Sequence, residues 1–304
     1  MIDIVFVILN FNIYEETLQC IGTIRDKAGT DNYYIIIVDN GSLNDSVKEL
    51  EKRLKDSPDV LIIKLPVNCG FAKGNNVGIE KAKNLGARYV CCLNDDTTLL
   101  TDNTFQLLEE KYQKYGAAVI GPAILQKDGR IGSFNHYFEP LITHEAYLEK
   151  LENMRYRFSF WDTVKNTLME YPILTRMVYT VLNCFRGRNN TNLKDCEDLV
   201  LQGSCLFFTP CFFEKLKGFN PQTFLYAEEE FLMADLRMNG LSTLYTPSIC
   251  IYHKGGVSTK KQTGKERKKR WEFRHQNVLE SQRKLVQYLN QHKDEVYGHI
   301  DSIK

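Results

Sequence analysis

The chain predicts an α/β fold with a mostly parallel central sheet, and three features of its first third say so. Short apolar runs rich in Ile and Val alternate with amphipathic stretches of helical spacing, the pitch of βαβ units. The apolar runs are continuous rather than alternating, as strands covered on both faces are. Polar and carboxylate residues follow the runs directly, and in open α/β sheets ligands sit outside the carboxyl ends of the strands.

The elements follow in order. Ile2–Leu9 is the first strand, interrupted only by Asp3, and Glu15–Arg25 carries apolar residues at 18, 21 and 24, a helical spacing. "YYIIIVDNGS" (33–42) is the second strand and closes on Asp39; "SVKELEKRL" (46–54) is an amphipathic helix and "DVLIIKLP" (59–66) a third strand. "NCGFAKGNNVGIEKAKNLG" (68–86) is a glycine-broken turn entering a helix, and Tyr89–Leu93 is the fourth strand. Residues 101–200 are less regular. "AAVIGPAIL" reads as a strand with a turn, "QKDGRIGSF" as a hairpin, and about 143–188 as a helical insertion. Strand character returns at 199–210, a helix spans 225–240 and stops at Gly240, and 241–256 is a last strand region. The tail from Lys260 is basic and helical. The expected organisation is one domain over 1–258 and a C-terminal extension over 259–304.

Bulk composition narrows the function classes. Of 304 residues, 43% are hydrophobic and 25% charged, ordinary globular usage. Lys plus Arg total 39 against 38 Asp plus Glu, so bulk charge gives no reason to expect nucleic acid. The nine cysteines form no CxxC pair, and several stand inside apolar runs, which suggests free thiols in a reducing, cytoplasmic setting. The first residues lack a basic n-region and cleavage site, and no uncharged run approaches the roughly 18 residues of a membrane span. A cytoplasmic protein, peripheral at most to the inner face of the cell membrane, is the expectation.

Four stations could carry chemistry. "YVCCLNDDTTL" ends a buried strand on Asn94-Asp95-Asp96, and adjacent carboxylates repel unless something positive lies beside them. Alone, such a pair is most often a capped turn. A hard divalent cation is the chemical alternative, since Mg²⁺ takes one or two carboxylates plus substrate phosphates. His253 in "CIYHKGGVS" is either a turn residue or an imidazole ligand for a Mn²⁺-like ion. Glu228-Glu229-Glu230 suits a solvated first helical turn, but its apolar neighbours Phe224, Leu225, Phe231 and Leu232 point to at least one carboxylate in a partly apolar pocket. That environment raises a carboxylate's pKa and suits a general base. "NCGFAKGNN" lacks the P-loop spacing, yet a glycine-rich turn into a helix can receive phosphate on free N–H groups, with Lys73 adding charge.

The segments "VFVILNFN", "VDNGSLNDS", "NCGFAKGNNVGI", "CLNDDT", "LQGSCLFF", "GFNPQTFLYAEEEFL" and "YHKGGVS" occur in the order seen in inverting family 2 glycosyltransferases of the GT-A fold. The chain most resembles the rhamnosyltransferase-like branch that builds bacterial surface polysaccharides, over roughly residues 2–258 with a gap at about 140–197. The resemblance implies a mostly parallel, Rossmann-like sheet flanked by helices, and a nucleotide-sugar donor, UDP- or dTDP-linked. It implies that Asp39 holds the base or ribose, that Phe11 and Asn12 wrap the nucleoside, and that Gly70, Phe71, Lys73 and Asn76 line the donor pocket. Asn94 and Asp95, with Gly203 of "LQGSCLFF", fall to the donor site as well. Asp96 matches the second carboxylate of the D-x-D metal motif, His253 a further ligand of Mn²⁺ or Mg²⁺, and Glu229, with Glu228 beside it, the catalytic base. Asp95 is expected to turn away from the metal.

Two segments lie outside the resemblance. The insertion and the basic run near Trp271 and Phe273 suit packing or a homodimer contact, or docking on an anionic membrane surface that carries a lipid-linked glycan acceptor. Two alternatives compete with transfer to a glycan. A nucleotidyltransferase would show a basic, glycine-rich triphosphate loop near the N-terminus, and "ILNFNIYEET" has none. A catalytically degenerate sugar-nucleotide-binding or scaffold protein is the non-enzyme alternative, kept open by Asn94 and by Glu in place of Asp at 229.

Overall fold

A computed structural model describes residues 1–126, 129, 131–132, 135–156, 194–255 and 267–298. Most of the expected insertion, 157–193, therefore lies outside the described residues, as do the glycine Gly256 and the start of the basic tail at 256–266.

The chain runs β1 (Ile2–Asn10), α1 (Tyr14–Lys27), β2 (Tyr33–Asp39), α2 (Ser46–Leu54), β3 (Val60–Lys64), α3 (Phe71–Asn84) and β4 (Ala87–Asn94). These are the expected elements, with ends moved by one to three residues. A short β5 (Thr97–Leu99), then α4 (Thr104–Tyr115), β6 (Val119–Gln126) and β7 (Ile131–Gly132) follow. After them come β8 (His136–Tyr137), α5 (Leu141–Asn153), β9 (Cys196–Glu197), β10 (Leu199–Val200), β11 (Cys205–Phe208) and α6 (Pro210–Lys215). The described chain ends in α7 (Glu228–Met238), β12 (Thr243–His253), α8 (Arg267–Gln291) and α9 (Lys293–Tyr297).

One large sheet has the order β3-β2-β1-β4-β11-β6-β12-β5. β3, β2, β1 and β4 are parallel, β11 runs antiparallel to both β4 and β6, and β12 is parallel to β6. β6 and β7 form the expected hairpin at 124–132, and β8 pairs with β10 in a separate two-stranded ribbon.

Side-chain alternation divides the core in two. Ile4, Phe6, Ile8, Ile35, Ile37, Tyr89 and Cys91 point to one face, under Ile21 and Ile24 of α1, Leu50 of α2 and Leu108 of α4. Val5, Val7, Ile36, Val38, Val90 and Cys92 point to the other, under Ala72, Ile79 and Ala82 of α3 and Leu232 and Leu236 of α7. Both faces being covered is why these strands read as unbroken apolar runs. α3 lies close on β1, and a Cβ on Gly78 would stand 2.2 Å from Val7 Cγ1. A third apolar cluster, with Phe138, Val200, Phe231, Met233, Leu285 and Leu289, seats the tail helix α8 against α7. Among the described residues no helix is long and apolar enough to cross a membrane, and the eight described cysteines are free thiols.

Candidate active site

Four polar groups gather at the carboxyl ends of β1, β2 and β4. Asn10, the last residue of β1, donates from Nδ2 to Asp39 Oδ1 at 2.7 Å, and the Ser42 amide donates to Asp39 Oδ2 at 3.0 Å. The Ser42 hydroxyl donates to Asp39 Oδ1 and accepts from the Asn12 amide at 2.8 Å. Asn12 adopts a left-handed backbone (φ 63°), and its Oδ1 accepts from the Leu43 amide at 2.8 Å. Asp39 is thus buried as the knot tying two loops together. Those loops wall a cavity of about 600 Å³ lined by Phe11, Asn12, Leu43, Pro66, Val67 and Asn68. Phe11 and Asn12 face it as expected; Asp39 shapes it from beneath.

The glycine turn corrects one expectation. Its amides are occupied: Cys69 N donates to Asn40 Oδ1 (2.9 Å), Gly70 N to Asn68 Oδ1 (2.9 Å) and Phe71 N to Phe224 O (2.9 Å). These three amides are not free for phosphate, because two asparagine side chains and a distant carbonyl reach them first. Gly70 is required there by its φ of 87° and by the 2.3 Å that a Cβ would leave to Phe224 O. Lys73 is exposed. Asn76 departs from the expected donor pocket altogether. Its Oδ1 accepts from Phe219 N at 2.8 Å and its Nδ2 donates to Phe219 O at 2.8 Å. It lines a second cavity of about 680 Å³ with Glu80, Lys83 and Phe213.

The end of β4 carries the carboxylates. Asp95 is buried, and its Oδ2 accepts from the Phe11 amide at 3.2 Å, so it braces the loop after β1. Asp96 points elsewhere: its Oδ1 stands 3.1 Å from His253 Nε2, and Asn94 Nδ2 stands 3.5 Å from the same nitrogen. β12 places His253 there by pairing it with Thr97, and Lys254 N donates to Asp96 O at 3.1 Å. Among the described residues no group of three or more His, Cys, Asp or Glu gathers around a point. The donor set fits a hard cation that takes Asp96 and His253 from the protein and its remaining ligands from a diphosphate.

The acidic triplet opens α7. Tyr226 and Ala227 before it both have positive φ (75° and 65°), a strained approach for residues with a Cβ. Glu229 Oε1 accepts from Gly203 N at 2.9 Å, and a Cβ on residue 203 would lie 2.6 Å from that oxygen. Burial, then the charge of Glu230, push the Glu229 carboxyl up to about 7. Burial and the charge of Glu229 push Glu228 up to about 8, and Glu228 Oε1 is buried without a hydrogen-bond partner. These are proton-holding carboxyls near neutral pH. The Asn94–Asp96 turn and the Gly203–Glu229 contact adjoin, since Asn94 N donates to Ser204 O at 3.0 Å.

Comparison with known proteins gives this arrangement a family. The glycosyl transferase family 2 pattern matches residues 5–172, more than half of the chain. The chain belongs to glycosyl transferase family 2. Over 100 residues it is 35% identical to poly-beta-1,6-N-acetyl-D-glucosamine synthase of Staphylococcus epidermidis. That stretch is 32% of this chain and 23% of the relative, so the chain spans under a quarter of that enzyme's length. Its fold is that of GT-A enzymes. It superposes on S. aureus TarS 1-349 in complex with UDP with a TM-score of 0.52 at 12% identity, over 83% of this chain and 60% of that one. It superposes on GalNAc-T7 with UDP, GalNAc and Mn²⁺ with a TM-score of 0.56 at 14% identity, over 85% and 45%.

Sequence reasoning passed over several members of the site. Asn10, Asn40, Ser42 and Asn68 hold its loops, and Asn135, just before the ribbon strand β8, and His136, its first residue, reach it from the other side of the Gln202–Gly203 turn. A polar residue closing an apolar strand, as Asn10 does in "VILN", was the available signal for the first.

Proposed function

We propose that the chain transfers a sugar from a nucleotide-sugar donor to a hydroxyl of a glycan or lipid-linked glycan acceptor, with inversion. The observation that carries this reading is the adjacency of two chemistries: Asp96 and His253 where the turn between β4 and β5 meets the end of β12, and Glu229 on the Gly203 amide one residue from Ser204. The cavity beside Phe11 and Asn12 holds the nucleoside, and Gly70 and Phe71 follow its lining residue Asn68 in the turn that the bond from Phe71 N to Phe224 O holds. Asp96 and His253, with Asn94 beside them, would hold a divalent cation, which would supply charge neutralisation for the departing diphosphate. Glu229 accepts the proton of the acceptor hydroxyl as that oxygen attacks the anomeric carbon. The Gly203 amide keeps the carboxylate in place, and burial together with the charge of Glu230 brings its titration to about 7. A single displacement needs no covalent nucleophile.

Polysaccharide relatives support a surface-glycan acceptor, and the UDP in two structural neighbours makes UDP-sugars the first donors to test. A dTDP-deoxysugar, the donor suited to the rhamnosyltransferase-like branch, is the second. The exposed Lys268 and Lys269 beside Trp271 fit an anionic membrane surface at which a lipid-linked acceptor would be met. Thermal unfolding across UDP-, dTDP- and GDP-sugars, with and without Mn²⁺, tests the reading. A donor at 100 times its Kd stabilises by about 2.7 kcal/mol. The expected result is a metal-dependent shift with one nucleotide class that Asp96→Ala abolishes. A shift that needs neither metal nor Asp96 refutes the assignment of that site.

A further inference from the structure

We propose that Asn135 and His136 are positioning residues for the Glu229 carboxylate: they close a clamp around the Gln202–Gly203 turn and the first turn of α7. The inference rests on the reading of Glu229 as the base and adds the device that holds it.

The clamp is a closed circuit of contacts. Asn135 Oδ1 accepts from Gln202 N at 3.0 Å. The next amide, Gly203 N, donates to Glu229 Oε1 at 2.9 Å. The neighbouring Glu230 places Oε1 3.6 Å from His136 Nε2, and His136 adjoins Asn135 in the chain. β8 and β10 fix the register by pairing His136 with Val200, two residues before Gln202. Beneath the ring, Phe138, Val200 and Phe231 share one apolar cluster, and the Arg237 guanidinium lies 4.9 Å from the Phe138 ring centre. Ribbon, turn and helix are therefore anchored to each other on the side away from the crevice, and the carboxylate projects from a fixed frame.

The clamp also sets the charge around the base. From its own helix Glu229 faces Glu228 and Glu230; from β8 it faces His136. The charges of Glu230, Glu139 and His136 act in turn on the buried His144 of α5, while Arg274 of α8 acts on Tyr226, two residues before Glu228. The charge of Glu230 raises the Glu229 pKa and that of His136 lowers it. The two clamp partners thus act on the base with opposite sign.

Carboxyl-selective ¹³C labelling of glutamate reads this directly on the free protein, the Glu229 signal being identified by its loss in Glu229→Gln. Removing a nearby negative charge lets Glu229 ionise more easily, so Glu230→Gln moves its titration midpoint down; His136→Gln moves it up. Each shift is about half a pH unit. His136→Lys, which supplies a positive charge at that position, returns the midpoint toward wild type and serves as the second variant should the glutamine variant not fold. Opposed shifts with rescue establish the clamp; unmoved midpoints, or shifts of one sign in both variants, overturn it. The base reading fails by a different result, namely undiminished turnover in Glu229→Gln of the donor found by thermal shift, and the titration is independent of it.

Discussion

Replacing Glu229 by Gln separates stability from activity along the pH axis. Gln keeps the shape and an oxygen for the Gly203 amide, and removes only the ability to ionise. In the folded chain the Glu229 carboxyl titrates near 7, against an ordinary value of 4.5. Between these values the unfolded chain releases its proton while the folded chain retains it. Folding stability contributed at this position is therefore fully present below pH 4.5 and is lost as pH rises through 7. The full difference corresponds to roughly 3 kcal/mol, an upper bound because Glu228 and Glu229 titrate together. Urea unfolding at pH 4.5 should find the variant and wild type nearly equally stable. At pH 8 the variant should be more stable by about 2–3 kcal/mol. Nucleoside diphosphate release from the donor should fall by about 10²–10⁴ in the same variant, the ordinary contribution of a general base. A stability gap that does not change with pH refutes the argument that burial raises this carboxyl, and with it the reason for choosing Glu229.

Gly203→Ala should lower turnover on the order of 10²-fold with nucleotide binding intact, because its Cβ would displace the Glu229 oxygen; steady-state kinetics beside the thermal shift measures both. Asn76→Ala should destabilise by roughly 2–3 kcal/mol through the loss of both bonds to the Phe219 backbone, with no change in donor affinity. Unchanged stability with weakened donor binding would return Asn76 to the donor pocket. Ala227→Gly should stabilise by about 1 kcal/mol in chemical denaturation, since glycine adopts the left-handed conformation at position 227 without a Cβ penalty.

The parallel half of the sheet was legible because each strand is covered on both faces and so spells a continuous apolar word. α4 was not expected, although Phe105, Leu108, Tyr112 and Tyr115 fall on one stripe between Asn103 and Gly116. Its Gln, Glu and Lys content dilutes that stripe, and only Thr104 and Leu108 are fully buried. β5 was not expected, since the fourth strand was read as ending at the Asn-Asp-Asp turn; the chain bends there and the three residues of β5 pair with β12. In the glycine turn the sequence showed donors near a helix start and could not show that Asn40, Asn68 and Phe224 O had already satisfied them. Asn76 failed for a rotational reason. Ala72, Asn75, Ile79 and Ala82 face the sheet, so the residue after Asn75 points about 100° away, toward Phe219. Asn135 and His136 were illegible because their meaning lies in a two-residue pairing with β10.

What brings acids from distant parts of the chain to one crevice is a reversal of strand direction. β4 runs parallel to β1, but its other neighbour β11 runs against it, with Cys205 opposite Leu93 and Phe208 opposite Val90. The start of β11 therefore meets the end of β4, which is why Ser204 accepts from Asn94 and why Gly203 stands beside the Asn-Asp-Asp turn. A parallel β11 would present Phe208 at that end and leave Gly203 at the opposite edge of the sheet. Because side chains alternate along a strand, a slip of one residue in this ladder would carry Cys205 and Phe207 from one core face to the other. Their burial among Ile120, Cys91 and Leu93 forbids that slip. The packing that covers the sheet thus also fixes how far the Asn94–Asp96 turn lies from the contact between Gly203 and Glu229.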